Sequence, residues 1–190
     1  AVLELTDVLA KRQSTNKTLV KKLRHDTQIE NIRSKASDLQ PLNQYSQHLS
    51  PFEKMASKLA VTATRAYITL GNCTTAHQLI EQSVPITWDM ELIALYAECL
   101  DYHVHRQIEC AEVWLKSQPN NAQLLLTLGK LCTHCELWGK AQNYLEASLS
   151  VEPGHKAHFA LAQLNEKLGK HELAMAQYNK GLELTLKQLN

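Results

Sequence analysis

The fold is decided by two short segments, LLTLGKLC at residues 125–132 and HFALAQLN at residues 158–165. The second begins 33 residues after the first, and each has a leucine at its fourth position and a small residue at its fifth. An alanine, Ala141 or Ala174, follows 16 residues after the start of each segment. A period of about 20–50 residues is typical of a structural unit that stacks on its neighbours. These segments therefore predict two copies of one unit.

The residue types at these positions predict a pair of antiparallel helices in each copy. The small residue after the leucine lets two helices cross closely, and the alanine in the second helix lets the next pair dock. Gly139 and Gly169 lie near the expected turns, where a residue without a Cβ leaves a helix easily, and Pro153 ends a helix. This pattern is typical of tetratricopeptide repeats, so we predict an all-α fold, a tetratricopeptide-type helical-hairpin solenoid with a right-handed superhelix.

Weaker copies extend the pattern toward the N terminus. The 16-residue interval recurs between Ala60 and Ala76, and Leu70-Gly71 corresponds to Leu168-Gly169. We predict a weak repeat, a degenerate repeat and two strong repeats, at residues 57–87, 88–120, 121–154 and 155–190. The helices of the degenerate repeat are predicted at residues 91–100 and 104–117. Residues 1–56 are predicted to form N-terminal helices, with a diverged repeat as one interpretation, at residues 3–11, 18–36 and 42–49. The sequence starts without methionine in an apparent helix, so we expect one extended domain from a longer protein.

The composition of the 190-residue chain is that of a folded protein, with 44% hydrophobic and 21% charged residues. Its formal net charge is only +1. Neutralising a nucleic-acid backbone requires a concentrated excess of Lys and Arg, so we expect no nucleic-acid partner. The basic residues among the first 35 positions are interpreted as a solvated helix face, with an RNA or anionic-membrane contact as the alternative.

Cys132 and Cys135 form the most conspicuous candidate for chemistry, because a Cys-x-x-Cys pair can ligate zinc or act as a redox dithiol. The repeat alignment places both on the inward face of a helix, so core packing is the favoured interpretation and no metal site is predicted. His103 and His105 alternate along a helix and do not converge. Haem ligation in the last two repeats stays open as an alternative, through His134, His155, His158 or His171.

Catalytic motifs are missing from the sequence, including Gly-x-Ser-x-Gly, His-Glu-x-x-His and a phosphate-binding glycine loop. Helices stacked in a solenoid also offer few places to hold catalytic groups in a fixed geometry. We therefore predict a protein that is not an enzyme and has no catalytic residues. The five cysteines are odd in number and scattered through apolar helical patterns, which favours buried thiols in a reducing compartment.

A partner-binding groove is the favoured functional feature, because stacked repeats expose their first helices along a concave face suited to a peptide or helix. By helical phase we predict that it is lined by Lys58, Val61, Arg65, Ile68, Gln123, Leu126, Lys130, Thr133, His134, Lys156, Phe159, Gln163, Glu166 and Lys167. The set of Lys, Asn and Arg with which some repeat proteins bind a C-terminal carboxylate is not found. The alternative is that several of these side chains simply face water.

Two segments carry a family resemblance, LWGKAQ at residues 137–142 and YNKGLELTL at residues 178–186. They are similar to the C-terminal tetratricopeptide-repeat domain of HemY, a proteobacterial family associated with protohaem biosynthesis. The resemblance extends more loosely through residues 67–84 and 88–100. It implies an inner-membrane protein with two N-terminal transmembrane helices, which this sequence does not include, and a repeat domain on the cytoplasmic side.

The resemblance also implies a role in late porphyrin and haem synthesis. The leading hypothesis is a non-enzymatic scaffold, without a cofactor of its own, that docks haem-pathway enzymes so that a poorly soluble porphyrin passes between them. One alternative is that the domain itself binds haem or porphyrin. Another is a generic adaptor for assembly of the cell envelope. The resemblance supplies no catalytic or haem-ligand motif for these residues.

Overall fold

Residues 17–101 and 103–189 are described by the computed structural model, and the regular structure in these ranges is helical. The helices are α1 Lys17–Lys35, α2 Leu39–His48, α3 Pro51–Lys54, α4 Ser57–Thr69, α5 Cys73–Thr87, α6 Met90–Leu95, α7 Val104–Ser117, α8 Ala122–His134, α9 Trp138–Val151, α10 His155–Lys167 and α11 His171–Leu189. The predicted all-α fold class is confirmed. The helix predicted at residues 3–11 lies outside the described ranges. No helix in the described part is long and apolar enough to cross a membrane.

The chain divides into two compact units, Ala1–Leu92 and Ile93–Asn190. In the first unit, helices α1, α2, α4 and α5 supply the buried core, which includes Ile32, Leu42 and Tyr67. The hydroxyl of Tyr67 donates a hydrogen bond to Asn43 Oδ1 at 2.9 Å, so this large side chain is buried with a polar partner. Helix α2 begins three residues before its predicted start because the Asp38 side chain accepts from the backbone N–H of Gln40 and caps it.

In the second unit, α8 with α9 and α10 with α11 form the two helical pairs that the 33-residue period predicts. Leu128, Leu131 and Leu145 are fully buried between them. Ser148 Oγ donates to the carbonyl oxygen of Ala122 at 2.8 Å and ties the end of α9 to the start of α8. First helices α8 and α10 also contact each other, so their exposed sides form one continuous surface.

The turns within three helical pairs share one geometry. The turn after α4 has Gly71 at φ 72°, and the turn after α10 has Gly169 at φ 71°. In the turn after α8 the left-handed residue is Glu136, at φ 57°. Gly139 lies near this turn, as the second residue of α9, but it does not occupy the left-handed position. Pro153 follows the last residue of α9 closely, as predicted.

Helix α6 is shorter than predicted. Residues 91–100 were expected to be helical, but α6 ends at Leu95 and the following bonds are of the i→i+3 type, such as Glu98 N–H to the carbonyl oxygen of Leu95 at 3.0 Å. The buried side chain of Gln107 on α7 donates to the carbonyl oxygens of Tyr96 at 2.8 Å and Cys99 at 3.4 Å. These bonds satisfy backbone groups that a longer helix would have paired internally.

Candidate partner-binding groove

Helix α10 presents one polar face to the solvent side of the second unit. Lys156, Ala160, Gln163 and Lys167 follow one another at intervals of four, three and four residues, which places them along one side of the helix. Ala160 is buried, whereas Lys156, Gln163 and Lys167 are exposed. The face therefore has a small residue at its floor and long polar side chains on either side of it.

An opening of about 420 Å³ lies beside this face. Its lining consists of Ala97, Leu100, Lys130, Thr133, His134, Ala160, Gln163, Glu166 and Lys167. We call it the lysine groove. All of these residues belong to the unit Ile93–Asn190. The structure therefore brings together Lys130, His134, Gln163 and Lys167, which helical phase had assigned to one surface.

The lysine groove is lined by two lysines, Lys130 and Lys167, whereas Lys156 lines a second opening. Within the described ranges, none of these three lysines has an Asp or Glu within ion-pair distance. The Lys130 side chain reaches the solvent, but the protein atoms around its ammonium group reduce its hydration and so lower its pKa. The charge of Glu98 opposes this shift, and the charge of Lys156 adds to it. Glu166 accepts a hydrogen bond from the hydroxyl of Tyr178 at 2.9 Å. The groove thus combines the ammonium groups of Lys130 and Lys167 with the carboxylate of Glu166.

A second, smaller opening of about 190 Å³ contains three more of the predicted residues, Gln123, Leu126 and Lys156. Its remaining lining comes from the end of α9, the start of α10 and Gln188. Leu126 is only 4% exposed, so it lies at the bottom of this opening and is also part of the hydrophobic core. Gln123 is half-buried.

The remaining predicted residues lie elsewhere. Phe159 packs between α10 and α11, where a Cβ on Gly181 would lie 2.5 Å from its Cε1 atom, and its ring centroid is 6.3 Å from that of Tyr178. Lys58 and Arg65 are exposed on α4 in the unit Ala1–Leu92. Arg65 Nη2 lies 2.6 Å from Glu91 Oε1, so this guanidinium already has an internal partner.

The thiols of the Cys-x-x-Cys segment are poorly suited to chemistry. Cys132 is fully buried, and burial raises its pKa to about 11. Cys135 is half-buried at the end of α8, burial raises its pKa too, and its Sγ lies 4.0 Å from His105 Nδ1. Both thiols are therefore protonated near neutral pH, which makes them weak nucleophiles and weak metal ligands.

The structure changes one expectation about the cysteines and shows the surroundings of one candidate histidine. Cys73 and Cys99 are each in a disulfide, so the expectation of free thiols is wrong for these two residues. Within residues 17–101 and 103–189, no group of three or more His, Cys, Asp or Glu side chains is arranged to hold a metal ion. His158 Nδ1 lies 2.7 Å from Gln177 Oε1, so one of its ring nitrogens has a protein partner.

Sequence reasoning missed Ala97 and Leu100, which complete the lysine groove. They were assigned to the body of a helix, whereas the chain turns after Leu95 and carries them to the edge of the groove. The degenerate character of repeat 88–120 was the one available signal that a regular helix would not continue there.

Comparison with known protein families bears on the last helical pair. Residues 155–188 match the tetratricopeptide repeat. This tetratricopeptide unit contains α10, which carries Ala160, Gln163 and Lys167 of the lysine groove, and nearly all of α11. The comparison with curated proteins found no match.

Solved structures of MamA share the fold. One crystal structure of MamA is 16% identical, with 85% of this chain and 96% of that chain covered and a TM-score of 0.58. MamA from residue 41 to its end, from Desulfovibrio magneticus RS-1, is 16% identical, with 98% and 96% covered and a TM-score of 0.55. A crystal structure of MamA protein is 15% identical, with 87% and 92% covered and a TM-score of 0.57. At such identities the likeness concerns the fold, and it confirms the predicted tetratricopeptide-type helical solenoid.

Proposed function

We propose that this protein is a non-enzymatic scaffold that binds a segment of a protein partner in the lysine groove. The observation that carries the proposal is the open surface formed by first helices α8 and α10, with ammonium groups beside a floor of small residues. The tetratricopeptide match and the fold shared with MamA support a protein-interaction module. The buried, protonated Cys132 gives no support to an enzymatic alternative.

The proposed partners are enzymes of late haem synthesis, which the scaffold would bring close to one another at the inner membrane. Tethering raises the effective concentration of one enzyme near the product of another without any new chemistry. The support is the resemblance of residues 137–142 and 178–186 to the HemY family. In this proposal a membrane anchor N-terminal to the present sequence holds the repeats on the cytoplasmic side.

A groove-blocking substitution tests the function. Gln163 is exposed at the groove, so Gln163→Trp fills part of the opening without disturbing the core. Gln82→Trp introduces the same side chain at an exposed position of α5 and serves as the matched control. Each variant is immobilised and incubated with lysate of the source organism, and captured proteins are identified by mass spectrometry.

We expect the unmodified chain and Gln82→Trp to recover the same partner, and Gln163→Trp to lose it. Recovery of enzymes of porphyrin metabolism would support the pathway assignment, and recovery of other proteins alone would count against it. Capture that is indifferent to Gln163→Trp, or no capture by any form of the chain, would contradict binding through the lysine groove.

A further inference from the structure

Helix α11 carries an apolar stripe that faces solvent. Met175, Leu182, Leu186 and Leu189 follow one another at intervals of seven, four and three residues, which places them along one side of the helix. Each of these side chains is more than half exposed. We call them the α11 stripe. Leu173 is also more than half exposed, but at about 100° per residue it points to the opposite side of the helix. Neighbouring exposed apolar side chains of this kind mark a surface that contacts another molecule.

The α11 stripe is separate from the face with which α11 packs on α10. Ala174 and Gly181 are buried, and a Cβ on Gly181 would lie 2.5 Å from Cε1 of Phe159 on α10. Met175 and Leu182 each follow one of these two buried residues, so their side chains point about 100° away from that face. The stripe can therefore contact another molecule while the helical pair stays intact.

The equivalent side of α9 is partly covered within the stack. By the 33-residue period, Gln142 and Leu149 of α9 correspond to Met175 and Leu182 of α11. Both are half-buried, and α9 contacts the next first helix, α10. The α11 stripe thus repeats, in more apolar form, a side of the repeat unit that is partly covered where a further helix follows.

The α11 stripe has a symmetry that fits a second copy of the same helix. Met175 and Leu189 lie seven residues before and seven residues after Leu182. Two antiparallel copies that cross at Leu182 therefore bring Met175 of each copy opposite Leu189 of the other. A twofold contact between identical subunits requires a self-complementary surface of this kind. An interval of seven residues is also the spacing that keeps apolar side chains facing a partner helix over several turns.

The charges beside the stripe have nearly the same centre. Lys180 and Glu183 are exposed on one flank of the stripe, two residues before and one residue after Leu182. Neither has an ion-pair partner among the described residues. In the antiparallel arrangement, Lys180 of each copy comes close to Glu183 of the other, which gives two ion pairs around the twofold axis. The apolar pattern and the charge pattern therefore select the same partner.

We infer that two copies of this chain associate through the α11 stripe, as an antiparallel helix pair with Leu182 at the twofold axis. The stripe extends over 14 residues, or about 21 Å along the helix. One helix from each copy makes a small interface, so the dimer dissociates at roughly micromolar concentration. The dimer carries two lysine grooves and so brings two bound partner molecules near each other, but its formation does not depend on what the grooves bind.

The test is sedimentation velocity of the complete 190-residue chain at concentrations between roughly 1 and 200 μM. We expect the unmodified chain to shift from monomer to dimer as its concentration rises. Leu182→Glu and Leu186→Glu should each raise the dissociation constant of the dimer roughly a hundredfold, because every dimer then contains two charged side chains in place of two buried leucines. Leu173→Glu makes the same change at an exposed position on the opposite side of α11 and should leave dimerisation unchanged.

Charge reversal tests the orientation of the two helices. Lys180→Glu and Glu183→Lys should each raise the dissociation constant roughly tenfold, since two attractions become two repulsions. The double variant Lys180→Glu/Glu183→Lys restores opposite charges across the twofold axis and should dimerise as the unmodified chain does. Circular dichroism checks that every variant is folded, and gel electrophoresis without reductant identifies any dimer that is joined by a disulfide.

The inference is overturned if the unmodified chain stays monomeric over this range, which would leave the α11 stripe to a different protein. It is also overturned if Leu173→Glu weakens the dimer as much as Leu182→Glu does, or if the double charge reversal dimerises no better than the single variants. These outcomes do not bear on the proposed function, which is tested separately by the capture experiment with Gln163→Trp.

Discussion

At the residue scale, Gly129 decides how closely α8 and α9 can pack. A Cβ at this position would lie 2.5 Å from Leu145 Cδ2 and 2.6 Å from its Cγ, and Leu145 is fully buried. Overpacking of this kind costs about 1–3 kcal/mol, and the better helix propensity of alanine recovers about 1 kcal/mol. We therefore expect Gly129→Ala to lower the free energy of unfolding by about 1 kcal/mol in a urea titration.

Gly139→Ala is the matched control for Gly129→Ala, since Gly139 also lies in a helix but a Cβ there would meet nothing within 4 Å. It should raise the free energy of unfolding by about 0.5–1 kcal/mol through backbone entropy. If both alanine variants were equally stabilised, the contact with Leu145 would not limit the approach of the two helices.

Glu112 on α7 provides a pH-dependent tie to α9. It accepts from Lys140 Nζ at 3.0 Å and from the Tyr144 hydroxyl at 2.9 Å. The hydrogen bond from Lys140 lowers the pKa of Glu112 below 4.5; burial opposes the shift, and the bond from Tyr144 adds to it. A carboxyl with a lowered folded-state pKa stabilises the fold above its unfolded-state pKa and loses this contribution as the pH falls through the folded-state value.

We therefore expect Glu112→Gln to lower the free energy of unfolding at pH 7 by about 0.5–1 kcal/mol. The difference from the unmodified chain should close as the pH is lowered below 4.5. Unfolding by urea at several pH values measures it, with the exposed Glu109→Gln of the same helix as the control. A difference that stays constant down to pH 3 would contradict the charge-dependent role of Glu112.

At the element scale, the turn after α8 departs from the other two turns in one residue. Gly71 and Gly169 occupy the left-handed position after α4 and α10, whereas Glu136 occupies it after α8. A residue with a Cβ pays about 1–2 kcal/mol in this conformation, partly offset by the smaller backbone entropy that it loses on folding. Glu136→Gly should therefore raise the free energy of unfolding by about 1 kcal/mol.

Thermal unfolding followed by circular dichroism checks this expectation, and Gly169→Ala is the reciprocal substitution. It should lower the melting temperature, because alanine is unfavourable at the positive φ of this position. A Cβ at Gly169 would meet no atom within 4 Å, so a steric clash does not contribute. An increase in stability for Gly169→Ala, or a loss for Glu136→Gly, would show that the left-handed turn does not limit these helical pairs.

The same turn shows why helix boundaries were harder to predict than helix pairs. The spacing of leucines and alanines reflects core packing, so it located α8 to α11 correctly. The turn after α8, in contrast, is stabilised by backbone bonds such as Leu137 N–H to the carbonyl oxygen of Cys132 at 2.9 Å, and these depend little on the side chain at Glu136. Gly139 therefore indicated that a turn lies nearby, but composition did not identify Glu136, three residues earlier, as its left-handed residue.

At the scale of the whole molecule, helical phase could place side chains on one face of a helix but could not tell what covers that face. Lys130, Gln163 and Lys167 lie at the groove because the sides of α8 and α10 that carry them are open. Phe159 has a similar phase, yet its ring packs between α10 and α11, where Gly181 has no Cβ to occupy the same space. The position of the Phe159 ring therefore depends on a glycine 22 positions later in the sequence, which helical periodicity does not reveal.

The organisation into units leads to the last prediction, because every residue lining the lysine groove belongs to the unit Ile93–Asn190. Thr127 Oγ1 donates to the carbonyl oxygen of Ile93 at 2.9 Å, so α6 contributes to this unit. A fragment of residues 88–190, which keeps α6 whole, should fold into helices and capture the same partner from lysate as the complete chain does.

A fragment of residues 121–190 retains the two strong repeats but lacks Ala97 and Leu100. It should be less stable, since about three stacked repeats are needed to cover a solenoid core, and its groove should capture the partner more weakly. Circular dichroism and capture from lysate in reducing buffer compare the two fragments. Equal binding by both would remove Ala97 and Leu100 from the groove, and a helical 88–190 fragment that does not bind would show that the unit Ile93–Asn190 is insufficient for recognition.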